Sequence, residues 1–191
     1  FAIALGIVSV SRLFAPIFWG EDFAPCAYIL SALALSIPFS GFANVIRMQY
    51  LIPNGMDGAY ILSVILGAVS NLTANLLLIP RCGALGAAVG TVIAEGVVCA
   101  AQCLAVKKRI DILAYLKSTA FFGMAGLLMY GAVQVLDQRA EITVSWLLLE
   151  IVVGGSVYCI LSVLYLYHTK NELLMTALQK LGGAHQNNDR G

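Results

Sequence analysis

Long apolar runs broken by a few polar residues set the pattern of this chain. Six stretches are predominantly apolar for 18 or more residues: Phe1 to Trp19, Ala24 to Ile46, Ala59 to Ile79, Ala84 to Val106, Thr119 to Leu136 and Ile142 to Tyr167. A helix needs about 20 apolar residues to cross the hydrocarbon core of a bilayer. Backbone polar groups in lipid must be satisfied within the segment, and barrel strands would be about ten residues long with alternating polarity. The runs therefore predict an all-α fold: a polytopic transmembrane helix bundle of about six spanning helices.

Polar residues inside these runs carry the functional signal. The third run places Ser63, Gly67, Asn71 and Asn75 at intervals of four, a stripe of small and amide side chains on one helix face. Such a stripe either packs closely against another helix or lines a wet cavity. The fourth run opens with Gly83, Gly86 and Gly90, a small-residue surface, then carries Glu95 near mid-membrane and Gln102 two turns later. A carboxylate at that depth is costly unless it pairs, protonates or meets water.

The second run holds Pro38, followed by Ser40 and Gly41. Proline there removes one backbone hydrogen bond and obstructs the preceding turn, so a kink is predicted, with Pro38 and Gly41 as hinge candidates. Asn44, Arg47 and Gln49 cluster at the end of that run. Arg47 either snorkels to lipid phosphates or, sharing a face with Asn44, holds an anionic ligand. Arg12 precedes Trp19 by seven residues, about 10 Å of helix. It either snorkels outward or faces the bundle, with Glu150 as a candidate partner.

Composition agrees with the pattern: 60% of residues are hydrophobic, 11% are charged, and mean hydropathy is +0.89. Soluble domains carry charge on about a quarter of their residues. The net charge is +1, with the basic residues beside the ends of the runs, so no nucleic-acid partner is expected. Cys26, Cys82, Cys99, Cys103 and Cys159 lack ligand spacing, and His168 and His185 fall at the C-terminal end, so no metal site is expected. No hydrolytic or phosphate-cradling motif is present; neither a catalytic residue nor a cofactor is expected, and the chain reads as a non-enzyme.

Alternating the connections places Arg47, Lys107, Lys108, Arg109, Lys117, Lys170 and Lys180 on one side of the membrane. Only Arg81 and Arg139 fall on the other, beside Glu21, Asp22, Asp137 and Glu141. The positive-inside rule makes the first side, and the C-terminus, cytoplasmic. The connections at Gly20 to Phe23 and Pro80 to Gly83 are too short for an external domain. Residues 1–167 thus read as the helical lobe, 168–181 as a cytoplasmic interfacial helix with Leu174, Ala177, Leu178 and Leu181 on one face, and 182–191 as a disordered tail. A start at Phe1 without a charged leader region suggests the C-terminal piece of a larger membrane protein.

Two segments carry a family resemblance. Arg47 to Tyr60 (RMQYLIPNGMDGAY), with Asn71 and Asn75, and Leu78 to Glu95 (LIPRCGALGAAVGTVIAE), resemble the oligosaccharide or polysaccharide flippase branch of the multidrug/oligosaccharidyl-lipid/polysaccharide exporter superfamily. Leu13 to Glu21 (LFAPIFWGE) is similar to a loop between two helices of the C-terminal lobe in these proteins, and Gly154 to Tyr158 (GGSVY) to their closing helix pair. The resemblance implies a two-lobe transporter of a bacterial or archaeal cytoplasmic membrane, with this chain forming most of the second lobe. Its implied partners are membrane lipid, an N-terminal lobe, a polyprenyl-diphosphate-linked oligosaccharide as cargo, and a coupling ion, sodium or proton.

Competing readings are an ion-coupled multidrug or metabolite exporter of the same superfamily and a non-transporting membrane scaffold. The substrate-path candidates common to the transport readings are Arg12, Asn44, Arg47, Gln49, Asn71, Asn75, Glu95 and Gln102.

Overall fold

A computed structural model describes residues 1–139 and 141–168, and among them all regular structure is helical. The expected interfacial helix and the tail, from residue 169 onward, lie outside the described residues. Helix α1 spans Ala2–Trp19 and ends at Gly20, whose φ of 97° suits a residue without Cβ. A single 3-10 turn, Glu21–Phe23, connects it to the next helix.

The second apolar run is not one smooth helix. It divides into α2, Cys26–Ala34, and α3, Ser36–Ile46, with the break at Leu35. Pro38 lies four residues after Ala34, so the bond that would have tied Ala34 into the next turn has no donor. After Ile46 the chain widens into a π turn, Arg47–Leu51, where Ile52 N–H donates to the Arg47 carbonyl at 3.0 Å. Nothing in the apolar pattern announced that turn.

Helix α4, Asp57–Val106, contains both the third and fourth runs. Gly83 alone leaves the helical region, at φ 56° and ψ −134°, and divides α4 into arms 57–82 and 84–106. The arms fold back on one another. Gln102 meets Ser63, Gly90 abuts Asn75, and Gly67 abuts Val98, which is an antiparallel register. A Cβ on Gly86 would stand 2.5 Å from the Leu78 carbonyl oxygen, so glycine permits the tightest part of this hairpin. Helices α5, Ile112–Asp137, and α6, Val144–His168, complete the described chain.

Helix α1 packs against α2, α5 and α6, while α2 and α3 pack against α4. The molecule thus has two halves, α1 with α5 and α6, and α3 with α4, bridged by α2. A cluster of Ile46, Leu51 and Val106, joined by Phe42, Met56 and Cys103, pins the π turn to the end of α4.

The distribution of side chains is inverted relative to a soluble bundle. Along α4 the buried positions are mostly small: Ser63, Gly67, Ala74, Gly86, Ala88, Gly90 and Ala94. Its large apolar side chains point outward, with Leu72 63% and Leu76 68% exposed. Among the described residues five helices, counting residues 26–51 as one and α4 as one, are long and apolar enough to cross a membrane. With the Gly83 break, they account for the six predicted runs.

Candidate functional site

One face of α3 carries Ser36, Ser40 and Asn44, and Arg47, the first residue of the π turn, continues it, all spaced by three or four residues. Opposite stand Tyr60 and Val64 on the first arm of α4, and Glu95, Val98 and Gln102 on the second. The two faces do not close. They leave a cavity of about 640 Å³ that also touches Gly41.

Arg47 is held at this cavity by neutral groups. One guanidinium nitrogen, Nη2, donates to the Asn44 side-chain oxygen, and Nη1 donates to the Tyr60 hydroxyl at 3.4 Å. The guanidinium carbon lies over the Tyr60 ring, 5.3 Å from its centroid, a cation–π contact worth about 0.5–2 kcal/mol depending on desolvation. Its Nε is buried without a partner. The planar fork is thus fixed in orientation, and among the described residues no carboxylate pairs with it. Asn44 keeps its amide N–H groups free of any described acceptor, so it both positions Arg47 and can donate beside it.

Glu95 and Gln102 form the facing wall. Glu95 makes no hydrogen bond or ion pair among the described residues, and it is half-buried at the cavity. Gln102 is almost fully buried; its Nε2 donates to Ser63 Oγ at 3.1 Å, and its Oε1 has no partner. Such an interhelical bond contributes about 0.6 kcal/mol in lipid-like surroundings. It crosses the two arms of α4 at the level of the cavity mouth.

The other candidates lie elsewhere. Asn71 and Asn75 bond to each other, Nδ2 of Asn75 to Oδ1 of Asn71 at 2.8 Å, and Asn75 packs on Gly90 in the hairpin seam. The Ser63–Asn75 stripe is therefore a helix-packing surface, except where Ser63 supports Gln102. Gln49, two residues past Arg47, turns to a separate recess lined by Phe42, Tyr50, Val106 and Ile110. Pro38 sits in α3, below the break at Leu35, and does not line the cavity.

Arg12 pairs with Asp137, at the end of α5, at 2.7 Å, and not with Glu150. Its side chain is largely exposed whereas Asp137 is buried. Glu150 instead sits fully buried where α1, α5 and α6 meet, with neither carboxylate oxygen hydrogen-bonded. It borders an apolar groove of about 390 Å³ formed with Gly6, Ser9, Met129, Val133, Gly154 and Tyr158.

Three features of the cavity escaped the sequence reading. Ser36 extends the polar face of α3 by one turn beyond Ser40, and the i, i+4, i+8 spacing could have revealed it. Tyr60, 13 residues after Arg47, had no local signal, because the π turn and the Pro53–Asp57 connection bring it back across. The π turn itself has no pattern in apolar periodicity.

Among the described residues, no group of three or more His, Cys, Asp or Glu side chains could hold a metal ion. The cavity lining offers one guanidinium, one carboxylate, amides and hydroxyls, a set suited to binding a polar ligand of mixed character. Compared with protein-family models, curated proteins and solved structures, the chain matches none.

Proposed function

We propose that this chain is a membrane-spanning lobe of a transporter that flips a polyprenyl-diphosphate-linked oligosaccharide across a bacterial or archaeal cytoplasmic membrane for polysaccharide synthesis. The inverted burial supports the membrane part: small residues inside and exposed leucines outside suit helices whose solvent is lipid, where close packing rather than hydrophobic exclusion drives association. The observation that carries the substrate class is the Arg47 fork. Asn44 and Tyr60 hold it over an open cavity without a carboxylate partner, and a preorganised guanidinium matches two phosphate oxygens at once. In a second lobe of this kind, rocking against a partner lobe would expose the cavity to each side in turn.

An ion-coupled exporter of metabolites or cationic drugs is the second reading, favoured by Glu95 on the same cavity. The Arg47 cluster weighs against a purely cationic cargo. In the flippase reading the Arg47 end of α3 faces the cytoplasm, where lipid-linked sugars are made, and the C-terminus lies on the same side.

The deciding experiment is flipping of lipid-linked oligosaccharide by the full-length protein in proteoliposomes. Arg47→Lys keeps the charge but loses the planar fork, and flipping should fall at least tenfold at matched protein level. Wild-type rates with lysine would remove Arg47 from the substrate path. Orientation is checked at Cys82, an exposed thiol next to the Gly83 break. An impermeant maleimide applied to whole cells should label it, and labelling confined to inverted vesicles would reverse the topology.

A further inference from the structure

The α3/α4 cavity sets a cationic donor, Arg47, across from free acceptors on Glu95 and Gln102. Arg47 supplies only donors. The facing wall supplies acceptors, and for Gln102 this follows from connectivity rather than from an assumed amide orientation. The Ser63 hydroxyl donates its single proton to the Tyr60 carbonyl at 2.7 Å, so toward Gln102 it can only accept. The Gln102 Nε2 must therefore face Ser63, and Oε1 is the atom left free, buried and without a partner. Glu95, two turns earlier on the same face, adds a carboxylate that is unpaired among the described residues.

We propose that Glu95 and Gln102 form an acceptor wall that binds the hydroxyl face of the sugar joined to the phosphate group, and that this wall selects neutral or amino sugars against acidic ones at that position. The proposal rests on the flippase reading. A ligand that satisfies both walls needs an anionic group at Arg47 and several donors within about 10 Å, the axial separation of Glu95 and Gln102. A glycosyl phosphate meets that requirement, with hydroxyls donating to Glu95 and Gln102 while Ser36 and Ser40 bond from the α3 side. A sugar carboxylate in the same place would face the Glu95 carboxylate across the cavity. Such a like-charge contact acts as rejection, independent of how well Arg47 holds the phosphate.

The test uses full-length protein in proteoliposomes with two probes, polyprenyl-diphosphate-glucose and polyprenyl-diphosphate-glucuronate, which differ by one carboxylate. The wild-type protein should flip the glucose-headed lipid at least tenfold faster. Glu95→Gln, which keeps the shape and removes the charge, should narrow that ratio to below threefold whatever the absolute rates. Equal wild-type rates for the two probes, each abolished by Arg47→Ala, would overturn the acceptor wall and leave the flippase reading standing. An unaltered ratio in Glu95→Gln would do the same by assigning the discrimination elsewhere. Movement of neither lipid by the wild-type protein would overturn both.

Discussion

Each half of the molecule sets off one arginine and one glutamate, Arg12 with Glu150 and Arg47 with Glu95, and the surroundings of the two sets are opposite in kind. Beside α1, Arg12 reaches Asp137 at 2.7 Å, and Glu150 is sealed between three helices against an apolar groove. Beside α3, Arg47 leans on Asn44 and Tyr60, which carry no charge, and Glu95 stands open on the same cavity. A cation satisfied by a carboxylate has little left to offer a ligand. A cation held by an amide and a ring is fixed in place with its charge intact. The comparison separates charges enclosed by the fold from charges that face a cavity.

The largest expected effect is on the hairpin that carries one wall of the α3/α4 cavity. Gly86→Ala would set a methyl group against the Leu78 carbonyl, which is backbone and cannot turn aside. Overpacking of this kind costs about 3 kcal/mol at the upper end. Thermal denaturation in detergent should show a clear loss, and an unchanged melting temperature would mean that the hairpin seam tolerates wider spacing.

The buried carboxylate of the α1 half comes next. Glu150→Leu removes an unpartnered buried polar group, whose burial costs about 1–3 kcal/mol, and replaces it with a side chain suited to the groove. The melting temperature should rise. A fall would show that Glu150 has a favourable partner in the assembled protein, and the two halves would then be more alike than the present contrast implies.

The arginines provide the sharpest test. Under the flippase reading Arg47→Lys should lower flipping at least tenfold, equivalent to about 1.4 kcal/mol, whereas Arg12→Lys should stay close to wild type because Arg12 meets Asp137 through a single nitrogen–oxygen contact that a lysine ammonium can replace. Equal sensitivity at both positions would erase the distinction between the halves.

The smallest effect concerns motion. Pro38→Ala restores the donor that could close the break at Leu35, joining α2 to α3 as one stiff helix. Expression and folding should be retained, while flipping slows a few-fold, since α3 carries the cavity wall. An unchanged rate would make the break a static packing feature.

Much of the helical layout was legible along the chain. Apolar runs of fixed length are local in sequence, so their extents anticipate α1, the two arms of α4, α5 and α6, and Pro38 marks the interruption between α2 and α3 through a missing N–H. The cavity was legible only in pieces. Asn44, Arg47, Glu95 and Gln102 stood out because polar side chains in or beside long apolar runs are costly to bury, but Asn71 and Asn75 stood out for the same reason and bond to each other, with Asn75 against Gly90 in the hairpin seam.

One-dimensional periodicity assigns a face to each residue and not the neighbour that face will meet. That neighbour depends on the reversal at Gly83, which lays one α4 arm on the other, and on the π turn after Ile46, which swings Tyr60 under Arg47. The Arg12–Asp137 pair, 125 residues apart, was equally out of reach. Sequence by itself determined which segments are helical and which residues are too polar to be left unaccounted for, because both follow from local chemistry. Tertiary structure decided which of those residues neutralise one another, which pack, and which remain open to a ligand, because that depends on distances between segments remote in the chain.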